Sequence, residues 1–143
     1  MINEFRGEHA FLSNFYPSEI EFGEIKYPTV EHAYQAAKTI NDAERVLIAM
    51  QKTPSKAKKV GQKVSIRPDW EDAKVGIMLN LIRQKFKNDI KLRNKLLATG
   101  NEELIEGNTW GDRYWGVCRG EGLNNLGKLL MKVRKELHDT INR

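Results

Sequence analysis

Residues that cap helices recur through this chain at short intervals, and they restrict it to a succession of short helices. Thr29, Asn41, Thr53 and Asp89 each stand at the head of a segment whose apolar residues repeat at helical spacing, and Arg67-Pro68-Asp69 introduces a further, longer one. Short side chains of this kind accept a hydrogen bond from a first-turn N–H that has no partner inside the helix. Thr53 is followed directly by Pro54, and proline suits the first helical position, where its missing N–H costs nothing. The predicted helices are 30–40, 42–52, 54–61, 69–88, a segment after Asp89 that stops at Thr99-Gly100, and 124–139. Expected core residues are Val46, Leu47 and Met50 in the second, and Trp70, Ala73, Ile77, Leu81 and Phe86 in the fourth. The last helix turns Leu126, Leu129, Leu130, Val133 and Leu137 inward.

Strand signals are few. Ile20-Glu21-Phe22 and Ile25-Lys26-Tyr27 alternate apolar and polar around Gly23-Glu24, which predicts a β-hairpin. Residues 103–106 alternate in the same way and are expected to form a strand. Residues 1–10 are expected to be irregular or an edge strand, anchored by Phe5. No repeat, linker or low-complexity tract interrupts the chain. The expectation is one compact domain over residues 1–143, of α+β class, predominantly α-helical with a small β element.

Several chemistries can be set aside. A single cysteine, Cys118, excludes an intrachain disulfide framework and fits a reducing cytoplasm, the expected location. No apolar run approaches the roughly 20 residues a membrane helix needs, so no membrane association is expected. His9, His32 and His138 lie far apart without HExxH or CxxC partners, so the expectation is a metal-free protein with no cofactor. There is no GxxxxGK[ST] phosphate loop, and Gly120-Glu121-Gly122 is a fragment of the dinucleotide fingerprint without its remainder. The net charge of +5 permits a polyanionic partner or phosphorylated substrate. Much of the excess comes from Lys56, Lys58, Lys59 and Lys63 in and just after one short helix, and from Lys128, Lys132, Arg134, Lys135 and Arg143 near the end.

Two stretches could carry chemistry. The first, 11–38, sets Phe11, Phe15 and Tyr16 around Ser13-Asn14 and then opens a helix whose first turn contains Glu31. A carboxylate there is favoured in its ionised form by the helix dipole. Glu31, Gln35 and Lys38 share one face, with Ala33, Ala37 and Ile40 on the other. That face either lines a site or meets solvent. The second stretch, 107–120, holds two tryptophans, an aspartate and four glycines. Trp110 and Trp115 either stack on a base or sugar, with Asp112 and Asn108 on its polar edge, or they plug the core. Carboxylates, aromatics and amides without a metal suit cleavage of a glycosidic bond, in which a carboxylate stabilises an oxocarbenium-like transition state or activates water.

Four blocks, FLSNFYP, YPTVEHAYQAAK, RPDWEDAKVGIM and TWGDRYWGVCRGEGLNNLGKLLMKVR, stand in this order and together resemble the NADAR (YbiA-like) domain family. The likeness runs from Phe11 to about Leu137. It implies a small α-rich N-glycosidase with one of two substrate classes: ADP-ribose on guanine, in a nucleotide or in DNA, or ribosylamino-pyrimidine intermediates of riboflavin biosynthesis. In the first class the functional counterpart is a DNA-ADP-ribosylating toxin. The resemblance implies Glu31 and Asp112 as catalytic carboxylates. It implies substrate contacts from Arg6, Asn14, Tyr16, Lys38, Trp110, Trp115, Asn124 and Gly127. A non-catalytic ADP-ribose or nucleic-acid binding module is the alternative from another class.

Overall fold

The computed structural model describes residues 1–141, and Arg143 lies outside them. The elements, in order, are a 3-10 helix at Gly7–Leu12, β1 (Pro17–Phe22), β2 (Ile25–Thr29), α1 (Val30–Ala37), α2 (Asp42–Ala49), α3 (Pro54–Gly61), α4 (Trp70–Asn88), α5 (Ile90–Ala98), β3 (Gly107–Asn108), β4 (Val117–Cys118) and α6 (Asn125–Ile141). The chain forms two compact units. One is Asn14–Lys85; the other joins Met1–Ser13 to the segment from Phe86 onward. No described helix is long and apolar enough to cross a membrane.

In the unit 14–85, β1 and β2 form the predicted hairpin, with Ile20 opposite Tyr27 and Phe22 opposite Ile25. Gly23 and Glu24 both have positive φ, 56° and 68°, the twist that a two-residue connection needs to match its strands. Thr29 ends β2 and caps α1, its hydroxyl accepting from the His32 N–H at 3.0 Å. Asn41 and Thr53 cap α2 and α3 in the same manner, accepting from the Glu44 and Lys56 N–H groups. Every residue of α1 is buried, against α2, α3 and the hairpin. Its polar side chains therefore point into protein, and the exposed residue of the expected apolar face is Ile40, beyond the helix end.

The expected inward face of α2 is corrected. Ile48 is buried, whereas Val46, Leu47 and Met50 are exposed. The opposite side is tied down by polar contacts that hydrophobic periodicity does not register. The Thr39 hydroxyl donates to the Glu44 carboxylate at 2.7 Å, and Arg45 Nε donates to the Thr39 carbonyl at 2.7 Å.

In the other unit, Phe11 meets Phe86 edge to face, and Leu92 and Leu96 of α5 are buried beside Leu126, Leu130, Val133 and Leu137 of α6. Asp89 caps α5 through the N–H groups of Lys91 and Leu92. The expected strand at 103–106 reduces to Leu104, which bridges Ile2 in parallel; the paired residues are Gly107 and Asn108, parallel to Val117 and Cys118. Cys118 is a buried free thiol.

Candidate active site

Glu31 is held where the hairpin turns into α1. Its backbone N–H donates to the Asn14 carbonyl at 3.1 Å, and its side chain is 8% exposed. Thus the two halves of the 11–38 stretch, the Ser13-Asn14 pair and the first turn of α1, are joined by a backbone bond. Asn14 also points its amide at the Met78 sulfur, 3.6 Å away on α4. Next to Glu31, His32 is a structural clamp. Its Nδ1 accepts from the Thr29 hydroxyl at 2.7 Å and its Nε2 donates to the Gln51 carbonyl at 3.0 Å, an arrangement that fits a neutral ring. Burial pushes the His32 pKa below its ordinary value, which favours that neutral form.

Lys38 lies seven residues beyond Glu31, two turns along the same face. Burial lowers its pKa, the Glu31 carboxylate opposes that shift, and the ammonium groups of Lys58 and Lys74 add to it. Glu31 and Lys38 therefore share one electrostatic environment. Tyr16 has the Lys85 ammonium 5.7 Å above its ring centroid, within cation–π range.

Lys85 is the residue that sequence reasoning missed. It is 2% exposed, and burial brings its pKa down to about 7. One signal was available. Met78, Leu81, Ile82 and Lys85 follow the i, i+3, i+4, i+7 spacing of a buried face, so the lysine falls on an apolar stripe.

In the other unit, the loop between β3 and β4 is built around Asn108. Its amide nitrogen donates to the Glu106 carboxylate and to the Asp112 carbonyl, both at 2.9 Å, while its oxygen accepts from the Asp112 N–H at 3.1 Å. Asp112 Oδ1 then accepts from the N–H groups of Tyr114 at 3.1 Å and Trp115 at 2.9 Å. One carboxylate oxygen thus shapes the turn that presents Trp115, which meets Tyr114 edge to face at 5.0 Å. Trp115 is half-buried, and Trp110 is 56% exposed. Neither ring fills the core.

Asn124 has φ 52°, and both ends of its amide meet backbone. Oδ1 accepts from the Glu106 N–H at 3.0 Å, and Nδ2 donates to the Leu104 carbonyl at 2.9 Å. A Cβ on Gly127 would collide with that same carbonyl and with the Asn124 amide. These two residues carry the seating of α6, a packing role visible in the geometry. Arg6 is exposed at the head of the 3-10 helix. Glu31, Asn14, Tyr16 and Lys38 belong to one unit; Arg6, Asp112, Trp110, Trp115, Asn124 and Gly127 belong to the other. Among the described residues, no group of three or more His, Cys, Asp or Glu converges as a metal ion would require.

Comparison with known proteins bears on both units together. The chain matches the NADAR domain over residues 3–138. It is 36% identical over 140 residues to an N-glycosidase of Nostoc punctiforme, covering 94% of this chain and 89% of that protein. It is 38% identical over 136 residues to a riboflavin biosynthesis protein of Vibrio vulnificus, and 37% identical over 148 residues to the chloroplastic riboflavin biosynthesis protein PYRR of Zea mays. The match covers 92% and 91% of this chain, but it spans only 36% and 24% of those longer proteins. The NMR structure of the Escherichia coli protein YbiA superposes with a TM-score of 0.86 at 32% identity, covering 100% of this chain and 90% of that one. Relatives named N-glycosidases that match along most of their length support, for the family, a hydrolase acting on N-glycosyl bonds. The α-rich fold, the ordered blocks and these likenesses converge on one assignment: the chain belongs to the NADAR domain family.

Proposed function

We propose that this protein hydrolyses the N-glycosidic bond between a ribose and a base, with Glu31 as the catalytic carboxylate. The observation that carries the reading is the setting of Glu31: a largely buried carboxylate, backbone-anchored to Asn14, in the first turn of a buried helix and within the field of Lys38. Such a group stabilises positive charge developing at C1′ and activates water without a metal. Asp112 hydrogen-bonds the substrate or protonates the leaving base through Oδ2, the oxygen not engaged by the turn. Trp115, with Trp110 or Tyr16, stacks on the base, while Asn14, Lys38 and Arg6 meet hydroxyls or phosphates.

The substrate proposed first is ADP-ribose attached to guanine, in a nucleotide or in DNA, with a DNA-ADP-ribosylating toxin as functional counterpart. It rests on the family resemblance and on the net charge of +5, which suits a polyanion. A second reading, hydrolysis of a ribosylamino-pyrimidine phosphate, is favoured by the names of the Vibrio and maize relatives. Product analysis separates them. Purified protein is incubated with ADP-ribosylated guanine DNA and, separately, with the ribosylamino-pyrimidine phosphate. Release of free ADP-ribose supports the first reading, and cleavage of the second substrate alone supports the other. If neither is cut while ADP-ribose still binds, the enzyme reading fails and a binding module takes its place.

A further inference from the structure

Three helices of the unit 14–85 bring lysines towards the Glu31 face of α1. Tyr34 and Lys38 lie four residues apart on α1, and Trp70 and Lys74 lie four apart on α4. The rings of Tyr34 and Trp70 meet, centroids 5.1 Å apart, so α1 and α4 touch one helical turn before each lysine. The Arg67 N–H donates to the Lys38 carbonyl at 2.7 Å, fixing the entry to α4 at the end of α1. From the other side comes α3, whose Gly61 sits so close to Gln35 that a Cβ there would overlap the amide. Lys58 precedes Gly61 by three residues, as Gln35 precedes Lys38, so both lysines sit one helical step from that contact.

All three side chains are partly exposed, so a ligand can reach them. The Lys74 side chain is only 16% exposed and pairs at 2.7 Å with Glu71, which is itself 78% exposed. Lowering of the Lys38 pKa by both Lys58 and Lys74 agrees with their closeness. Like charges gathered on a half-buried surface repel one another, and an anion relieves that repulsion. Glu31 acts on Lys38, and Glu71 pairs with Lys74.

We infer that Lys38, Lys58 and Lys74 form a subsite for a phosphate or diphosphate group of the substrate, beside the Glu31 carboxylate. The inference rests on the glycosidase reading for its placement but not for its test. Ammonium groups act there as point charges towards phosphate oxygens. The subsite sets affinity for the phosphorylated ribose, while Glu31 acts at the glycosidic bond.

Calorimetric titration with pyrophosphate, ADP-ribose and unphosphorylated ribose tests it without any turnover. Lys58→Ala and Lys74→Met should each weaken binding of the phosphorylated probes about tenfold, in line with loss of one charge-assisted contact. Lys58→Arg should keep most of the affinity, and variants with unchanged circular dichroism are the ones compared. Binding of ADP-ribose but not pyrophosphate would still support the subsite, as one that reads a phosphorylated sugar rather than a free anion. Unchanged affinity in both folded variants overturns it, as does failure of the wild-type protein to bind any phosphorylated probe. Loss of phosphate binding in a protein that still hydrolyses its substrate with Glu31 would remove the subsite alone. Phosphate binding without hydrolysis would remove the glycosidase reading alone.

Discussion

Replacing Lys85 by methionine removes an amine from a site that is 2% exposed while keeping a flexible apolar stem. Burial holds this amine at a pKa of about 7, against an ordinary lysine value of 10.5. Between those values the unfolded chain binds a proton that the folded chain does not, so stability rises with pH across the window. Below about pH 7 both states are protonated, and the pH dependence from this group levels off. One proton of difference corresponds to about 1.4 kcal/mol per pH unit. Urea unfolding at about pH 7.5 and 9.5 should therefore show the wild-type protein gaining roughly 2–3 kcal/mol, of which Lys85→Met abolishes most. The upper limit matters, because burial raises the Tyr27 hydroxyl to about 12 and its unfolded form begins to ionise near 10, which reverses the trend. Lys38, also shifted down, contributes in the same direction, so the quantity read is the difference between the two proteins. Parallel stability–pH curves for wild type and variant would refute the argument.

Two further perturbations probe packing and loop order. Gly61→Ala forces a methyl group into the Gln35 side chain, 2.8 Å from its Cβ and Cδ, and should cost about 1–3 kcal/mol by chemical denaturation; no loss would mean that α1 and α3 separate easily. Asn108→Ala removes the hydrogen bonds that fix Asp112 and should cost roughly 2–3 kcal/mol. The same variant should change tryptophan fluorescence, because Trp110 and Trp115 sit on that loop, and an unchanged spectrum would argue against the assigned role of Asn108.

What could be read from the sequence follows from the range of the forces involved. Caps at Thr29, Asn41, Thr53 and Asp89 are local, so helix starts were accurate and their side chains make the expected bonds. The hairpin was equally local, set by Gly23-Glu24. Facing was less legible. Val46, Leu47 and Met50 have the spacing of a core stripe, but the tertiary bonds of Glu44 and Arg45 to Thr39 turn them outward. Residues 103–106 alternate like a strand, yet pairing is decided by distant partners, Ile2 and Val117–Cys118. In the candidate site, Glu31 and Lys38 were placed on one face by helical spacing alone, and their electrostatic coupling agrees. Asn124 and Gly127, marked by resemblance as substrate contacts, have an evident packing role that no motif discloses. The burial of Lys85 is not legible from its residue type, since lysine is ordinarily solvated; only its helical register with Met78, Leu81 and Ile82 discloses it.

The central claim is that Glu31 carries the chemistry, and the most direct measurement is single-turnover hydrolysis by wild type and Glu31→Gln on whichever ribosylated base the wild type cleaves. Glutamine keeps the shape and the Asn14 backbone bond but cannot stabilise a cationic C1′ or accept a proton from water. The account predicts a fall of at least about a hundredfold in rate, with the thermal midpoint and ADP-ribose binding retained. A folded Glu31→Gln protein that turns over at the wild-type rate would contradict it.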